Sequence, residues 1–309
     1  MPFFLSFLLA AVFSCEKTLG VDQVDSLPAK LVVVSNFTPD RELQVFVSAS
    51  RSVLNNEVPA YIEEAVVELY RGETFLTDLH FSEEKDKSSN LPFYSAGSFT
   101  PEVGVNYTIE VQAPGFEPVS AQSQIPTPIQ LVSSEITDLQ FFVPEGGSSV
   151  EVSYNLNIAF EDPGMVKNYY HINLLQHFID FEVVEGDTFY LQEELRPVVF
   201  SNQMNNNLQV AHIGGGILLQ DEGQDGQLIS SQLPVAFSFT PSQTQLGKLI
   251  IELRAVSESY YRYFSTLSRQ EGISDTPLSD PVIVYDNIKG GRGIFAGFSS
   301  SSDSLIVKY

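Results

Sequence analysis

Short runs of β-branched and aromatic residues, many of them alternating with polar residues, recur along most of the chain and constrain its fold more than any other feature. Alternation of this kind is typical of strands with one buried face. Turn-forming residues such as Thr38-Pro39-Asp40 and Ala113-Pro114-Gly115 separate the runs. The spacing predicts a mainly β protein that begins with an immunoglobulin-like or prealbumin-like sandwich, although antibody-type Cys and Trp are missing. The first runs are Leu31–Phe37, Leu43–Val47, Ala65–Tyr70, Phe93–Ser95 and Tyr107–Val111.

The prolines of Pro126-Thr127-Pro128 predict an extended connector between two β-rich domains, covering residues 30–127 and 128–309. The second domain has its own runs, of which Val150–Ile158 alternates most regularly. Near the C-terminus, apolar residues recur at intervals of three and four, which predicts one amphipathic helix packed on a sheet and stopped at Gly272. The helical positions are Leu253, Val256, Tyr260, Tyr263, Phe264 and Leu267.

The only cysteine, Cys15, directly follows a short apolar run that is too short to cross a membrane as a helix. This arrangement resembles a bacterial lipoprotein signal, in which a small residue such as Ser14 precedes the cut and the cysteine sulfur carries a lipid. We therefore expect a signal peptide at residues 1–14, a flexible tether at residues 15–29 and lipid anchorage in the outer membrane. Which face of that membrane the protein occupies stays open. A lipidated Cys15 leaves no thiol for a disulfide bond.

The chain is acidic, with 39 Asp and Glu residues against 16 Lys and Arg residues and a net charge of −23. Such a charge repels phosphate backbones, so the composition excludes nucleic acid as a partner. The four histidines lack metal-ligand spacing, and no Gly-x-Ser-x-Gly sequence marks a serine nucleophile. The sequence thus predicts a protein that is not an enzyme, with no catalytic residues, metal or cofactor.

Three segments carry weaker signals for binding. The Asp221–Gly226 loop resembles half of a calcium loop, but its twelfth position is Gln232; we expect a polar hairpin turn, and calcium at Asp221 and Asp225 stays open. Gly290–Gly293 lacks the ending of a phosphate loop and predicts a tight bulge between two strands, at which Arg292 contacts a ligand or partner. The Asn202–Asn207 segment predicts an exposed loop, which makes Asn205 and Asn206 candidate contact residues.

Several segments together resemble one family over nearly the whole chain. The chain is similar to the Bacteroidota envelope lipoprotein family called domain of unknown function 4249, whose members are often encoded near TonB-dependent receptors of the outer membrane. The resemblance implies no reaction and no functional residues. The matching segments are Cys15–Lys17, Leu31–Asp40, Ala113–Phe116, Asp225-Gly226, Ser279–Val282 and Asp286–Phe298.

These observations lead to one leading hypothesis and two alternatives. The leading hypothesis is an accessory outer-membrane lipoprotein that binds a ligand or partner for a TonB-dependent uptake system. The first alternative is an envelope hydrolase acting on glycans or peptides, which requires carboxylates or a Ser-His pair to converge in a cleft. The second is a structural or adhesive surface module, and a polar pocket would favour ligand binding over it.

Overall fold

A computed structural model describes residues 28–51, 60–87, 89–198, 200, 211–213, 216–273 and 282–309. The predicted lipidation residue Cys15 and the predicted contact residues Asn205 and Asn206 lie outside these ranges. Within them the fold is mainly β with one helix near the C-terminus, as the sequence predicts. The strands are β1 (Leu31–Phe37), β2 (Phe46–Ala49), β3 (Val66–Arg71), β4 (Thr74–Lys85), β5 (Pro92–Ser95), β6 (Asn106–Gln112), β7 (Val119–Gln124), β8 (Leu131–Phe142), β9 (Val150–Glu161), β10 (Tyr169–Val184), β11 (Asp187–Pro197), β12 (Ala211–Ile213), β13 (Gly216–Gln220), β14 (Leu228–Phe239), β15 (Thr244–Val256) and β16 (Arg292–Ile306), and the helix is α1 (Glu258–Ile273).

The N-terminal part is a sandwich whose five-stranded sheet has the order β5-β4-β3-β6-β7. The strands β1 and β2 pack across the face of this sheet. Every second residue of β1, from Leu31 to Phe37, is buried, because alternate side chains of a strand point to the same face. Phe37 meets Tyr107 of β6 edge to face, with the ring centroids 6.1 Å apart. This core is completed by Phe295, which comes from the far end of the chain.

The C-terminal part is a second sandwich. Its small sheet has the order β14-β9-β8 and packs against a larger sheet ordered β12-β13-β10-β15-β16-β1-β2, with β11 paired to β10. The inward-facing residues of β9, such as Leu156 and Phe160, are fully buried in the largest apolar core. The strand β16 runs between β15 and β1 and joins the two sandwiches through one continuous sheet.

The segment between β7 and β8 contains the predicted connector, and residues 126–130 form neither helix nor strand. The parallel pairing of β1 with β16 sets Val33 opposite Gly293. Because β16 and the residues before it contribute to the N-terminal core, the last part of the sequence is needed to close the first sandwich. The division at residue 127 remains a prediction about folding units.

The helix α1 covers the outer face of the larger sheet. Tyr260 is buried there against Phe298, and Tyr263 and Phe264 pack beside it, so the predicted packing of an aromatic face on a sheet is confirmed. The predicted start was wrong, since Leu253 and Val256 belong to β15. The chain leaves β15 before it turns into the helix, and the Ser257 hydroxyl accepts a hydrogen bond from the Tyr260 amide at 3.4 Å as an N-cap.

Candidate functional site

The glycine-rich string Gly290–Gly293 lies at the start of β16 and holds this strand against the N-terminal sandwich. No strand precedes it in residues 282–288, so the predicted bulge between two strands was wrong; Gly290 instead occupies a turn with φ of 83°. The Asn287 side chain donates to the Phe295 carbonyl at 2.8 Å and accepts from the Phe295 amide at 3.0 Å. Lys289 and Ser120 exchange backbone hydrogen bonds of 2.8 and 3.2 Å.

Two glycines of this string allow strands to approach closely. A Cβ atom on Gly293 would lie 2.1 Å from the Val33 carbonyl oxygen, and the φ of Gly293 is +111°, which side chains with a Cβ rarely adopt. A Cβ atom on Gly291 would lie 2.7 Å from the Leu31 carbonyl oxygen. These positions explain the glycines by packing, without reference to a phosphate group.

Arg292, the predicted contact residue of this string, forms a surface ion pair. Its Nη1 atom lies 2.8 Å from an Asp286 carboxylate oxygen, and 60% of its side chain is exposed. Contact between Arg292 and a ligand or partner stays a prediction.

The Asp221–Gly226 loop joins β13 to β14, which belong to different sheets, so the predicted hairpin turn was wrong. Here carboxylate oxygens of Asp162, Asp221 and Asp225 lie within 4.8 Å of one another. Burial raises the pKa of Asp221. Each of the three carboxylates accepts hydrogen bonds from other groups of the protein. Several of these hydrogen bonds connect this loop to the neighbouring loop after β9. The donors are the Tyr170 hydroxyl and the amides of Gly226, Asn168 and Met165.

A polar pocket of about 430 Å³ lies beside α1 on the outer face of the large sheet. We call it the Arg254 pocket. Four segments meet there: the turn after β1, the end of β15, the first turns of α1 and the middle of β16. The pocket is lined by Asn36, Thr38, Asp40, Arg41, Glu252, Arg254, Tyr260, Phe264, Phe298 and Ser300.

Arg254 is the centre of the hydrogen-bond network in this pocket. Its Nη2 atom lies 2.8 Å from a Glu252 carboxylate oxygen, and the two side chains are only 25% and 19% exposed. Its Nη1 atom donates to the Tyr260 hydroxyl oxygen at 3.3 Å. The guanidinium carbon lies 4.7 Å from the centroid of the Phe298 ring, within the range of a cation–π contact. Asn173 donates to Glu252 at 3.1 Å and so holds the carboxylate in position.

His171 and Tyr260 form the buried side of the network. The His171 Nδ1 atom lies 2.9 Å from the Tyr260 hydroxyl oxygen. Burial and the charge of Arg254 lower the pKa of His171 to about 3, so this imidazole is neutral at pH 7. Burial raises the pKa of Tyr260. Burial alone would lower the pKa of Arg254, but Tyr260 and Glu252 outweigh that effect and raise it.

This arrangement suits the binding of a small polar solute. Within the described residues, the Asn36 Oδ1 atom and the Arg254 Nε atom are buried without a hydrogen-bond partner. Partly buried ion pairs contribute little net stability, and ionisable groups with perturbed pKa values cluster at functional sites. The aromatic rings of Phe264 and Phe298 add an apolar wall, so hydroxyl or carboxylate groups and an apolar face can be bound together.

A larger cleft of about 790 Å³ lies between the N-terminal sandwich and the start of α1. Gln122 and Gln124 of β7 line one side of it, and Lys167 and Glu258 line the other. No partly buried ion pair comparable with that of Arg254 and Glu252 lies among its described lining residues. We therefore regard the Arg254 pocket as the candidate site.

Sequence reasoning did not single out Arg254 or Glu252. Both lie on β15, where they alternate with the buried residues Ile251 and Leu253. This alternation predicts that Glu252 and Arg254 lie on the solvent-exposed face of the strand. The sequence Thr38-Pro39-Asp40 predicts a turn and belongs to a segment that matches the family, but neither observation predicts a pocket. Its place in the pocket depends on the pairing of β1 with β16, which brings distant parts of the chain together.

The fold and the pocket define a mainly β protein with a polar site whose hydrogen-bond network centres on Arg254. The chain matches the family described as "Domain of unknown function (DUF4249)" over residues 18–304, and it belongs to that family. Among curated proteins, none matches the chain. In the described part of the chain, no helix combines the length and the apolar character that crossing a membrane requires.

Two solved structures resemble the chain only slightly. One is described as "Biofilm associated protein - B domain" and is 6% identical; it covers 88% of this chain and 85% of that chain at a TM-score of 0.15. The other is the C-terminal domain of the Streptococcus pyogenes antigen I/II-family protein AspA. It is 10% identical and covers 75% of this chain and 96% of that chain at a TM-score of 0.14. Scores this low carry no argument.

Proposed function

We propose that this protein is a non-enzymatic lipoprotein, anchored in the outer membrane through Cys15, that holds a small polar solute in the Arg254 pocket for a TonB-dependent receptor. The proposal that this protein binds a solute rests on the hydrogen-bond network around Arg254. Its charges are partly withdrawn from water and already held in place by Glu252, Tyr260 and Asn173. A site arranged in advance loses less entropy when a ligand binds.

The chemistry of the pocket favours a solute with several hydroxyl groups or a carboxylate, such as a sugar or a short peptide. Arg254 and Arg41 supply cationic donors. Phe298 offers an aromatic face on which the apolar side of a sugar ring or a side chain can lie.

Thermal unfolding in the presence of panels of monosaccharides, disaccharides and dipeptides tests this proposal. A solute present at about 100 times its Kd adds about 2.7 kcal/mol to the free energy of unfolding, which shifts the Tm measurably. We expect at least one solute to raise the Tm of the wild type but not that of Arg254→Met. The matched control is Arg292→Ala, which removes an exposed guanidinium outside the pocket and should keep the response. A panel without effect, or an equal shift in Arg254→Met, would contradict the proposal.

The same incubations test the hydrolase alternative. Asp40 and Glu252 line one pocket, so two carboxylates are present in the cleft where that alternative requires them. If mass spectrometry detects cleavage of a disaccharide or dipeptide, and both Asp40→Asn and Glu252→Gln abolish it, the protein is an enzyme. We expect every solute to be recovered unchanged.

A further inference from the structure

The hairpin formed by β10 and β11 extends beyond the sheet to which it belongs. The pairing of β10 with β15 ends at Asp180 opposite Thr244, but β10 stays paired with β11 as far as Val184 opposite Asp187. Four further residues on each strand therefore form a two-stranded ribbon, about 13 Å long at 3.3 Å per residue. We call residues 178–197 the hairpin arm.

The turn at the tip of the arm is well defined. Glu185 and Gly186 both have positive φ, of 54° and 95°. A two-residue turn with this geometry matches the right-handed twist of the flanking strands. The arm is thus a hairpin with a two-residue turn and one bulge, at Leu191.

The arm exposes many apolar side chains on both of its faces. Paired residues share a face, so Tyr190 lies beside Phe181 and Phe189 lies beside Glu182 on the opposite face. Two-stranded ribbons are marginally stable alone, and contiguous apolar surface of this kind marks interaction sites. The exposed fractions are 57% for Val183, 47% for Val184, 51% for Phe189, 65% for Tyr190, 62% for Leu191 and 47% for Leu195.

The outer edge of β11 offers backbone groups to a further strand. Among the described residues, β11 pairs with β10 and with no other strand. An exposed edge that carries apolar side chains is a template for strand addition, and the bulge at Leu191 leaves the stretch Asp187–Tyr190 as the uninterrupted part next to the tip. The backbone groups and apolar side chains of this edge therefore suit the binding of an extended peptide segment.

The charge of the arm indicates which segment fits. It holds six carboxylates, and its only Lys or Arg residue is Arg196. The Arg196 guanidinium already lies 3.3 Å from Asp180 and 2.9 Å from Glu194, so it compensates little of the remaining charge. A second copy of the arm would set like charges against one another, which costs binding free energy. A segment carrying Lys or Arg among apolar residues complements the arm.

The position of the arm leaves it accessible to another protein. The strand β16 starts at Arg292, beside the start of β1, and ends at Ile306, which pairs with Lys248 of β15 close to the base of the arm. Fourteen steps along β16 separate these ends by about 46 Å. The arm therefore lies at the end of the sheet opposite to the point where the chain enters β1.

We propose that β11 is a docking edge for an extended segment of a partner protein, which adds as a strand and alternates Lys or Arg with apolar side chains. The partner backbone pairs with β11, its apolar side chains cover Tyr190 and Val183 on one face of the arm, and its cations meet Glu182 and Asp187 on the opposite face. This proposal does not depend on the Arg254 pocket or on its ligand.

Photo-crosslinking in living cells tests the proposal with the full-length, natively processed protein. A benzophenone amino acid is placed at Tyr190, and a control copy carries it at Phe75, an exposed aromatic residue of β4 in the N-terminal sandwich. Crosslinked peptides are identified by mass spectrometry, so that the partner segment is read directly. A further variant, Glu182→Lys with Asp187→Lys, reverses two charges on the arm without removing an apolar side chain.

We expect Tyr190, but not Phe75, to crosslink to one defined segment that is rich in Lys or Arg and alternates with apolar residues. The double charge reversal should lower that yield at least about tenfold. Crosslinking to a second copy of this chain, to lipid or to an acidic segment would overturn the proposal. It would also be overturned if Tyr190 yielded no more product than Phe75, or if the charge reversal left the yield unchanged.

Discussion

Burial of His171 makes the stability of the protein depend on pH in a predictable direction. The unfolded chain takes up a proton on this imidazole below a pKa of about 6.5. The folded chain does so only near the lowered pKa of about 3, because burial and Arg254 oppose the charged form. The unfolded state therefore binds more protons between these values, and the stability contributed by neutral His171 is lost as the pH falls below 6.5.

The size of this effect follows from the two pKa values. Each pH unit below 6.5 costs about 1.36 kcal/mol, so lowering the pH from 8 to 5 should remove about 2 kcal/mol of the free energy of unfolding through His171 alone. Urea unfolding at both pH values measures the loss. The variant His171→Asn should show a pH dependence smaller by that amount, whereas His80→Asn, at an exposed position, should behave like the wild type.

An NMR titration of the histidine ring protons gives an independent reading. The His171 signal should stay in its neutral form down to pH 5. A His171 signal that titrates near pH 6.5 would contradict the burial of this side chain in the network around Arg254. The same holds if His171→Asn keeps the full pH dependence of the wild type.

Three further predictions concern the glycine string and the anchor. Gly293→Ala should lower the free energy of unfolding, measured by urea titration, by at least about 3 kcal/mol, because the new Cβ atom meets the Val33 carbonyl at a position with positive φ. The control Gly72→Ala also has a positive φ but open space around it, so it should lower the free energy of unfolding by only about 1 kcal/mol. Arg292→Ala should change the free energy of unfolding by less than about 0.5 kcal/mol, since its ion pair is exposed, and a larger loss by calorimetry would contradict that account. Cys15→Ala should move the protein from the membrane to the soluble fraction of the envelope, and a variant that still sediments with membranes would exclude lipidation as the anchor.

How far the sequence predicts the fold differs between elements. The strand β1 has the same bounds, Leu31–Phe37, in the prediction and in the structure, because its alternation is strict and Thr38-Pro39-Asp40 ends it. Alternation does not predict the strand β11, because this strand buries no regular face and because three consecutive apolar residues, Phe189–Leu191, break the alternation. The strand β16 is predicted only in part: Ile294-Phe295 after the glycine string indicates a strand, but the serine-rich residues Ser299–Ser304 read as polar, yet β16 lies in the middle of the large sheet.

The candidate site depends on contacts between residues that are distant in the sequence, which explains why the sequence predicts little of it. The Arg254 pocket forms only when β16 pairs with both β1 and β15 and α1 lies across them. Local periodicity contains no information about which strands pair over such separations. The helical periodicity even assigned Val256 to α1, although the chain is still extended there.

Purification of the tagged, chromosomally encoded protein from gently solubilised envelopes tests the proposed function most directly, with Cys15→Ala as the control that cannot be lipidated. An accessory role in uptake predicts that a TonB-dependent receptor is recovered in a stoichiometric amount with the wild type and is lost from the control. Recovery of the wild-type protein alone would contradict that role.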